Sequence, residues 1–176
     1  MNTLQKIQEF IIRCFYHPLQ LNKRINFKDT IQNVQTILVY CPEESLINDI
    51  HKNLKQIFKT AGIHYILPYE KSNNIHRITK SGHVYYLYKN SVYKSQKSDS
   101  YKTLSKQKID LFIDLDREPN ILNCFLCRML LPAICLSYHK PFSDYYYNFQ
   151  YQPASYNPTR ERFKNIYQIL SSWAAG

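Results

Sequence analysis

The chain has 176 residues, 44% of them hydrophobic, and a formal charge of +10. That length allows one domain with a real core, and that apolar fraction excludes a wholly disordered chain. The only glycines, Gly62, Gly82 and Gly176, form neither a P-loop nor a G-x-G-x-x-G fingerprint, which excludes glycine-cradled phosphate and dinucleotide sites.

Leu4, Ile7, Ile11 and Phe15 recur at helical spacing and predict an amphipathic helix over residues 3–16, ended by Pro18. Residues 1–28 carry five Lys/Arg against one Glu, so this helix and its connector either pack on the domain or lie on an anionic membrane face. Val34–Tyr40 (VQTILVY) predicts the first strand. Pro42, Glu43 and Glu44 then suit the first turn of a helix, which runs to about Thr60 and stops at Ala61-Gly62. Ile63–Pro68 predicts a second strand, parallel to the first through a right-handed crossover. His83–Tyr88 predicts a short strand, and the C-terminal part of Lys89–Lys108 a helix.

Ile109–Pro119 (IDLFIDLDREP) is the centre of the pattern. Its apolar run predicts a buried strand that emerges in carboxylates, at the sheet end where α/β proteins bind ligands. Ile121–Leu131 is almost wholly apolar and predicts a buried helix. Ala133–Ser137 predicts another strand, residues 138–156 are aromatic and contain proline, and Pro158–Trp173 predicts the last helix. The whole reads as a three-layer α/β sandwich with a mostly parallel sheet of four or five strands and an extra N-terminal helix.

Asp114, Asp116 and Glu118 alternate along the exit of the central strand, so they share one edge. They either bind a ligand, with one serving as general base, or cap the next helix and pair with Arg117. Glu43 and Glu44, at the end of the first strand, face the same crevice in this reading. Cys124 and Cys127 have C-x-x-C spacing, but they lie in an apolar helix without a second pair; core thiols are expected, with no metal and no cofactor. Five cysteines without a secretion signal predict a cytoplasmic setting.

The charge is uneven. Residues 71–108 hold nine Lys/Arg against Asp99 alone. Tyr85, Tyr86, Tyr88, Tyr93 and Tyr101 interleave with Lys89, Lys94, Lys97 and Lys102 there, which makes a nucleic-acid or anion-binding module the alternative to a solvated loop. A scaffold role for the Tyr-rich 138–156 stretch is a third option.

Two resemblances follow from motifs. DLFIDLD, ICLS and HKPF resemble a phospho-accepting receiver domain, but the stretch from Glu43 to Asp114 is too long for one and that from Ser137 to Lys140 too short. Over residues 34–170, TILVYCPEES, IHYILP, KIDLFIDLDREPNILNCFLCRMLLPAICLSY, the Tyr147-Asn148 pair and Glu161-Arg162-Phe163-Lys164-Asn165 resemble the N-terminal Rossmann-like half of family 9, heptosyltransferase-like glycosyltransferases. The resemblance implies a single Rossmann-like domain over residues 29–176, and the charge and turn-rich composition mark about 71–108 as a basic loop-rich insertion in it. It implies a protein that binds a glycan or lipid-linked acceptor, on the inner face of the membrane if residues 1–28 touch it. The family's Gly-Asp after the first strand is replaced by Cys41-Pro42-Glu43-Glu44, and the donor-binding half would have to come from a second chain. Autonomous catalysis is therefore not expected. Glu43, Glu44 and Asp114 are the candidate catalytic carboxylates, and Asp116, Arg117, Glu118, Ser137 and His139 the candidate ligand contacts.

Overall fold

The computed structural model describes residues 3, 6, 7, 10, 26–69, 76–79, 82–140, 143, 146–152 and 159–175. The helix expected over residues 3–16 falls almost wholly outside them; positions 3, 6, 7 and 10 are helical and exposed. Chain order begins with α1 (Phe27–Gln32), capped by Asn26, whose side chain accepts from the Asp29 amide. It continues through β1 (Thr36–Tyr40), a 3-10 turn at Glu44–Leu46, α2 (Ile47–Ile57) and β2 (Gly62–Pro68). Next come β3 (His76–Thr79), β4 (Gly82–Leu87), α3 (Val92–Lys97) and α4 (Asp99–Leu104). The chain then forms β5 (Leu111–Asp114), α5 (Ile121–Leu130), β6 (Ile134–Tyr138), β7 (Phe149–Tyr151) and α6 (Thr159–Ala175).

The strands form one sheet in the order β3-β4-β2-β1-β5-β6-β7. Six are parallel, and β3 adds to the edge antiparallel to β4. Counted along the chain, the parallel strands run 3-2-1-4-5-6, the doubly wound Rossmann-like order. The order reverses between β1 and β5. Such a sheet opens a crevice at its carboxyl end there.

Alternation along each strand sorts the core into two faces. Ile37, Val39, Ile63, Tyr65, Ile113 and Leu136 point to one side, where α1, α2 and α6 lay down Ile31, Ile50, Leu54, Phe163, Ile166 and Leu170. Leu38, Tyr40, Ile66, Phe112 and Cys135 point to the other, against Tyr101 and Leu104 of α4 and Leu122, Phe125 and Leu126 of α5. Three layers result. Gly82 opens β4 at φ +116°, and a Cβ there would meet the Ile63 carbonyl oxygen at 2.2 Å; no other residue fits.

Several boundaries shift. The helix expected to reach Thr60 stops at Ile57, with Phe58 as its cap. The sheet has seven strands, two more than the upper expectation, because His76–Thr79 and Phe149–Tyr151 pair on its two edges. Both are short, and tertiary pairing rather than apolar pattern fixes them. The stretch expected as a loop-rich insertion at 71–108 holds two strands and two short helices among its described residues. Ser91 and Ser98 cap those helices by accepting from the amides of Lys94 and Tyr101.

Candidate functional site

The site starts from register. Tyr40 of β1 lies beside Asp114 of β5, Asp114 beside Ser137 of β6, and Ser137 beside Gln150 of β7. These residues alternate onto one face, so a polar row crosses the carboxyl end of four adjacent strands. The reversal point between β1 and β5 falls inside that row.

Asp114 is fully buried and held by three donors. Its Oδ2 receives the Lys140 ammonium at 2.7 Å and the Tyr147 hydroxyl, and its Oδ1 receives the Asp116 amide at 2.8 Å. Lys140 is buried too, and donates a second bond to the Asp116 carbonyl oxygen at 3.1 Å. A buried ion pair persists only when further hydrogen bonds support both partners, as here. The Ser143 hydroxyl fixes the backbone that carries the lysine: it accepts from the Lys140 amide at 3.2 Å and donates to the Lys140 carbonyl at 2.6 Å. Burial, then the charge of Asp114, push the Tyr147 phenol well above its ordinary value, so it remains a proton donor.

Asp116 forms a second node. The Lys89 ammonium meets its Oδ2 at 2.8 Å, the Asn120 amide donates to the same oxygen at 3.1 Å, and the Glu118 amide donates to Oδ1 at 3.3 Å. Asn120 is itself the cap of α5, accepting from the amides of Leu122 and Asn123. Carboxylate turn and helix cap are thus one device. Lys89 is the outward member, its side chain 34% exposed against 5% for Asp116. The Tyr40 phenol is pushed up by burial first, then by the charges of Asp116 and Asp114.

Formal charges in this cluster balance: two aspartates, two lysines. Asp114 is closed to solvent and already spans three donors. Glu43 belongs to a different constellation, its Oε1 accepting from Thr159 Oγ1 at 2.5 Å and so tying the end of β1 to the start of α6. Glu44 is exposed in the short turn that follows. Cys41, between them and β1, is buried, donates to the Glu43 carbonyl at 3.0 Å, and has its thiol pushed up to about 11 by burial. Ser137 is wholly buried in the polar row, and its hydroxyl has no hydrogen-bond partner among the described residues. His139 is exposed, its Nδ1 3.2 Å from the Gln150 side chain. Arg117 and Glu118 lie on the rim, partly and fully exposed.

The four candidate lysines of the basic segment, Lys89, Lys94, Lys97 and Lys102, separate. Lys89 joins the carboxylate cluster, Lys102 pairs with Asp99 at 2.8 Å, and Lys94 and Lys97 lie on α3. Among the described residues no group of three or more His, Cys, Asp or Glu is placed to hold a metal ion. Cys127 and Cys135 are buried neighbours and free thiols.

The sequence reading placed none of Lys140, Tyr147, Asn120 and Tyr40 among the candidate site residues, although Lys140 and Tyr147 stood in its motifs. Asn120 carried a usable signal, a capping residue just before an apolar helix. Lys140 carried one only in the receiver-like HKPF, where spacing argued against it. It does reach Asp114, but the carboxylate it holds is sealed. The Tyr147-Asn148 pair has a structural meaning: Tyr147 donates to Asp114, while Asn148 receives the Cys135 amide at 2.8 Å and donates to the Ala133 carbonyl at 2.8 Å.

No family model, no curated protein and no solved structure matches the chain. No helix among the described residues is long and apolar enough to cross a membrane.

Proposed function

We propose that this domain binds a hydroxyl-rich ligand, a glycan or lipid-linked acceptor, at the carboxyl ends of β1, β5 and β6, in the manner of the acceptor half of family 9 glycosyltransferases. The observation that carries the reading is the reversal of strand order between β1 and β5, where Lys89, Arg117 and Glu118 reach solvent above the buried row Tyr40–Asp114–Ser137. Hydroxyls need paired donors and acceptors at short range, and that rim supplies both signs of charge. Transfer by this chain alone is not part of the proposal. Asp114 is sealed, which leaves Glu43 and Glu44 as the carboxylates for a base, and a second chain would bring the donor sugar. The basic stretch 1–28 would suit an acceptor held at an anionic membrane face.

Isothermal titration of the full chain with soluble mono- and oligosaccharides tests this. At least one should bind with a Kd of about 1 mM or tighter, and Lys89→Ala should weaken it about tenfold, a loss of about 1.4 kcal/mol. A panel without a binder, or a binder indifferent to Lys89→Ala in a variant that melts like the parent, overturns the reading.

A second reading has its own observation. Lys94 and Lys97 are exposed, and among the described residues no carboxylate pairs with either, which is the kind of positive charge that an anion or nucleic-acid site uses.

A further inference from the structure

A cleft of about 350 Å³ opens at the carboxyl end of β2 and β4, lined by Tyr69, Tyr86, Tyr88, Lys94, Lys97 and the Ser98–Asp99 corner. Register builds its aromatic wall. Pro68 pairs with Leu87, so Tyr69 and Tyr88 leave adjacent parallel strands side by side, tied by the Tyr69 amide donating to the Leu87 carbonyl at 2.8 Å. Their ring centroids are 4.5 Å apart, tilted by 40°. Tyr86, two residues before Tyr88 and 6% exposed, shares that face and forms the floor.

The opposite wall is cationic. Lys94 and Lys97 stand three residues apart on α3 and therefore on one side of it. Among the described residues they meet rings, not carboxylates: the Lys94 ammonium lies 5.9 Å from the centroid of Tyr88 and that of Lys97 4.2 Å from the centroid of Tyr93. Asp99, the one acid among the described lining residues, is occupied by Lys102 at 2.8 Å, a hydrogen bond that holds its carboxyl below the usual range. The cleft thus sets two lysines, neither paired with a described carboxylate, against a bank of tyrosines.

We propose that this cleft binds a nucleoside phosphate, the base stacking on Tyr88 and Tyr69 and the phosphate received by Lys94 and Lys97. The proposal rests on the anion-binding reading and narrows it to one cleft and one ligand class. Stacking on an aromatic side chain contributes about 1–3 kcal/mol per base and tolerates every base. Lysines supply point charges that phosphate accepts without a fixed fork geometry. The volume is near the lower end of ligand clefts, roughly 300–1,000 Å³, so it suits one nucleotide rather than a run of them. That nucleotide is either free in solution or one unit of a single strand.

Titration calorimetry on the full chain separates these. The probes are the four ribonucleoside monophosphates, the matching nucleosides, ribose phosphate, inorganic polyphosphate and a single-stranded RNA hexamer, each at low and high salt. The monophosphates should bind at least tenfold tighter than either the nucleosides or ribose phosphate. The double change Lys94→Ala with Lys97→Ala should abolish the advantage over nucleosides. Tyr88→Ala should abolish the advantage over ribose phosphate, and Tyr88→Phe should keep it. A hexamer no tighter than the monophosphate identifies the free nucleotide; a hexamer at least tenfold tighter, with the same variants weakening it, identifies the strand. Monophosphates that do not outbind ribose phosphate overturn the proposal. If polyphosphate and the hexamer bind in a salt-dependent way while monophosphates do not, the cleft proposal falls and the anion-binding reading stands. Binding of no anion removes both.

Discussion

At the scale of single residues, the buried Asp114–Lys140 pair decides how the site holds its shape. Both side chains are nearly sealed, at 0% and 3% exposure, so neither charge has water to fall back on. Removing one partner strands the other, which costs about 3–5 kcal/mol, whereas neutralising both costs less. Lys140→Met should therefore lower the unfolding free energy in urea by about 3–5 kcal/mol. Adding Asp114→Asn to it should restore part of that loss. A single variant that unfolds within about 1 kcal/mol of the parent would mean that the pair does not hold the carboxyl end of β5. Cys41 gives a pH dependence of known sign. In the native protein its thiol keeps its proton up to about 11; in the unfolded chain it releases it near the ordinary value of 9.0. The native state therefore binds more protons between those limits, and its stability is whole below pH 9 and declines as pH rises through that window. The limiting slope is about 1.4 kcal/mol per unit. Between pH 9 and pH 10 the parent should lose about 1 kcal/mol more than Cys41→Ala, the tyrosine contribution being common to both. Parallel losses in the two proteins would refute the assignment to Cys41.

At the scale of elements, strands were legible where an apolar run was long, but helix ends were not: the first turn expected at Pro42–Glu44 gives way to a 3-10 turn with α2 starting at Ile47, and the stop expected at Ala61-Gly62 falls at Ile57. Val34–Tyr40, Ile63–Pro68 and Ala133–Ser137 each match a strand to within two residues. β3 and β7 have no such run. His76–Thr79 depends on the ladder that β4 offers, and Phe149–Tyr151 on the edge of β6. α5 shows a further limit. Its apolar pattern runs through Leu131, but the helix ends at Leu130, and Leu131 adopts φ 46°, ψ 52°, a left-handed cap normally given to glycine. Leu131 is 66% exposed, so its side chain returns little burial for that strained backbone. Leu131→Gly should relieve the steric cost of a Cβ in the left-handed region, about 1–2 kcal/mol, against a greater entropy in the unfolded chain. The balance should be a stabilisation of about 0.5–1 kcal/mol in urea. Destabilisation of that size would show that the leucine side chain is anchored after all.

At the scale of the whole molecule, the fold was readable because one short strand, LFID, is buried on both sides and all its neighbours are parallel. A strand of that kind calls for helices on both faces, and the apolar faces of α2, α5 and α6 supply them. The site was readable only in part, since carboxylates at a strand end announce themselves while their partners, Lys89 and Lys140, come from distant loops. The same separation governs how charge acts on the molecule. The excess of +10 is concentrated in residues 71–108, and the described part of that segment lies at the β4 edge with α3 and α4. The attractive pairs that salt would weaken are of two kinds. Lys140–Asp114 and Lys89–Asp116 are shielded from ions by burial of their carboxylates, and exposed pairs such as Lys102–Asp99 and Lys164–Glu161 contribute about 0–1 kcal/mol each. With a net charge of +10, repulsion among exposed lysines is expected to outweigh these weak attractions, and screening reaches it because it is spread over distances comparable to a Debye length of about 10 Å at 0.1 M. Raising sodium chloride from about 20 mM to about 0.3 M should therefore stabilise the protein, and about 1 kcal/mol of relief corresponds to a Tm rise of about 2–4 °C for a chain of this size. A fall in Tm over the same range would show that the exposed pairs outweigh the repulsion, and that the basic edge is neutralised by a partner within the chain.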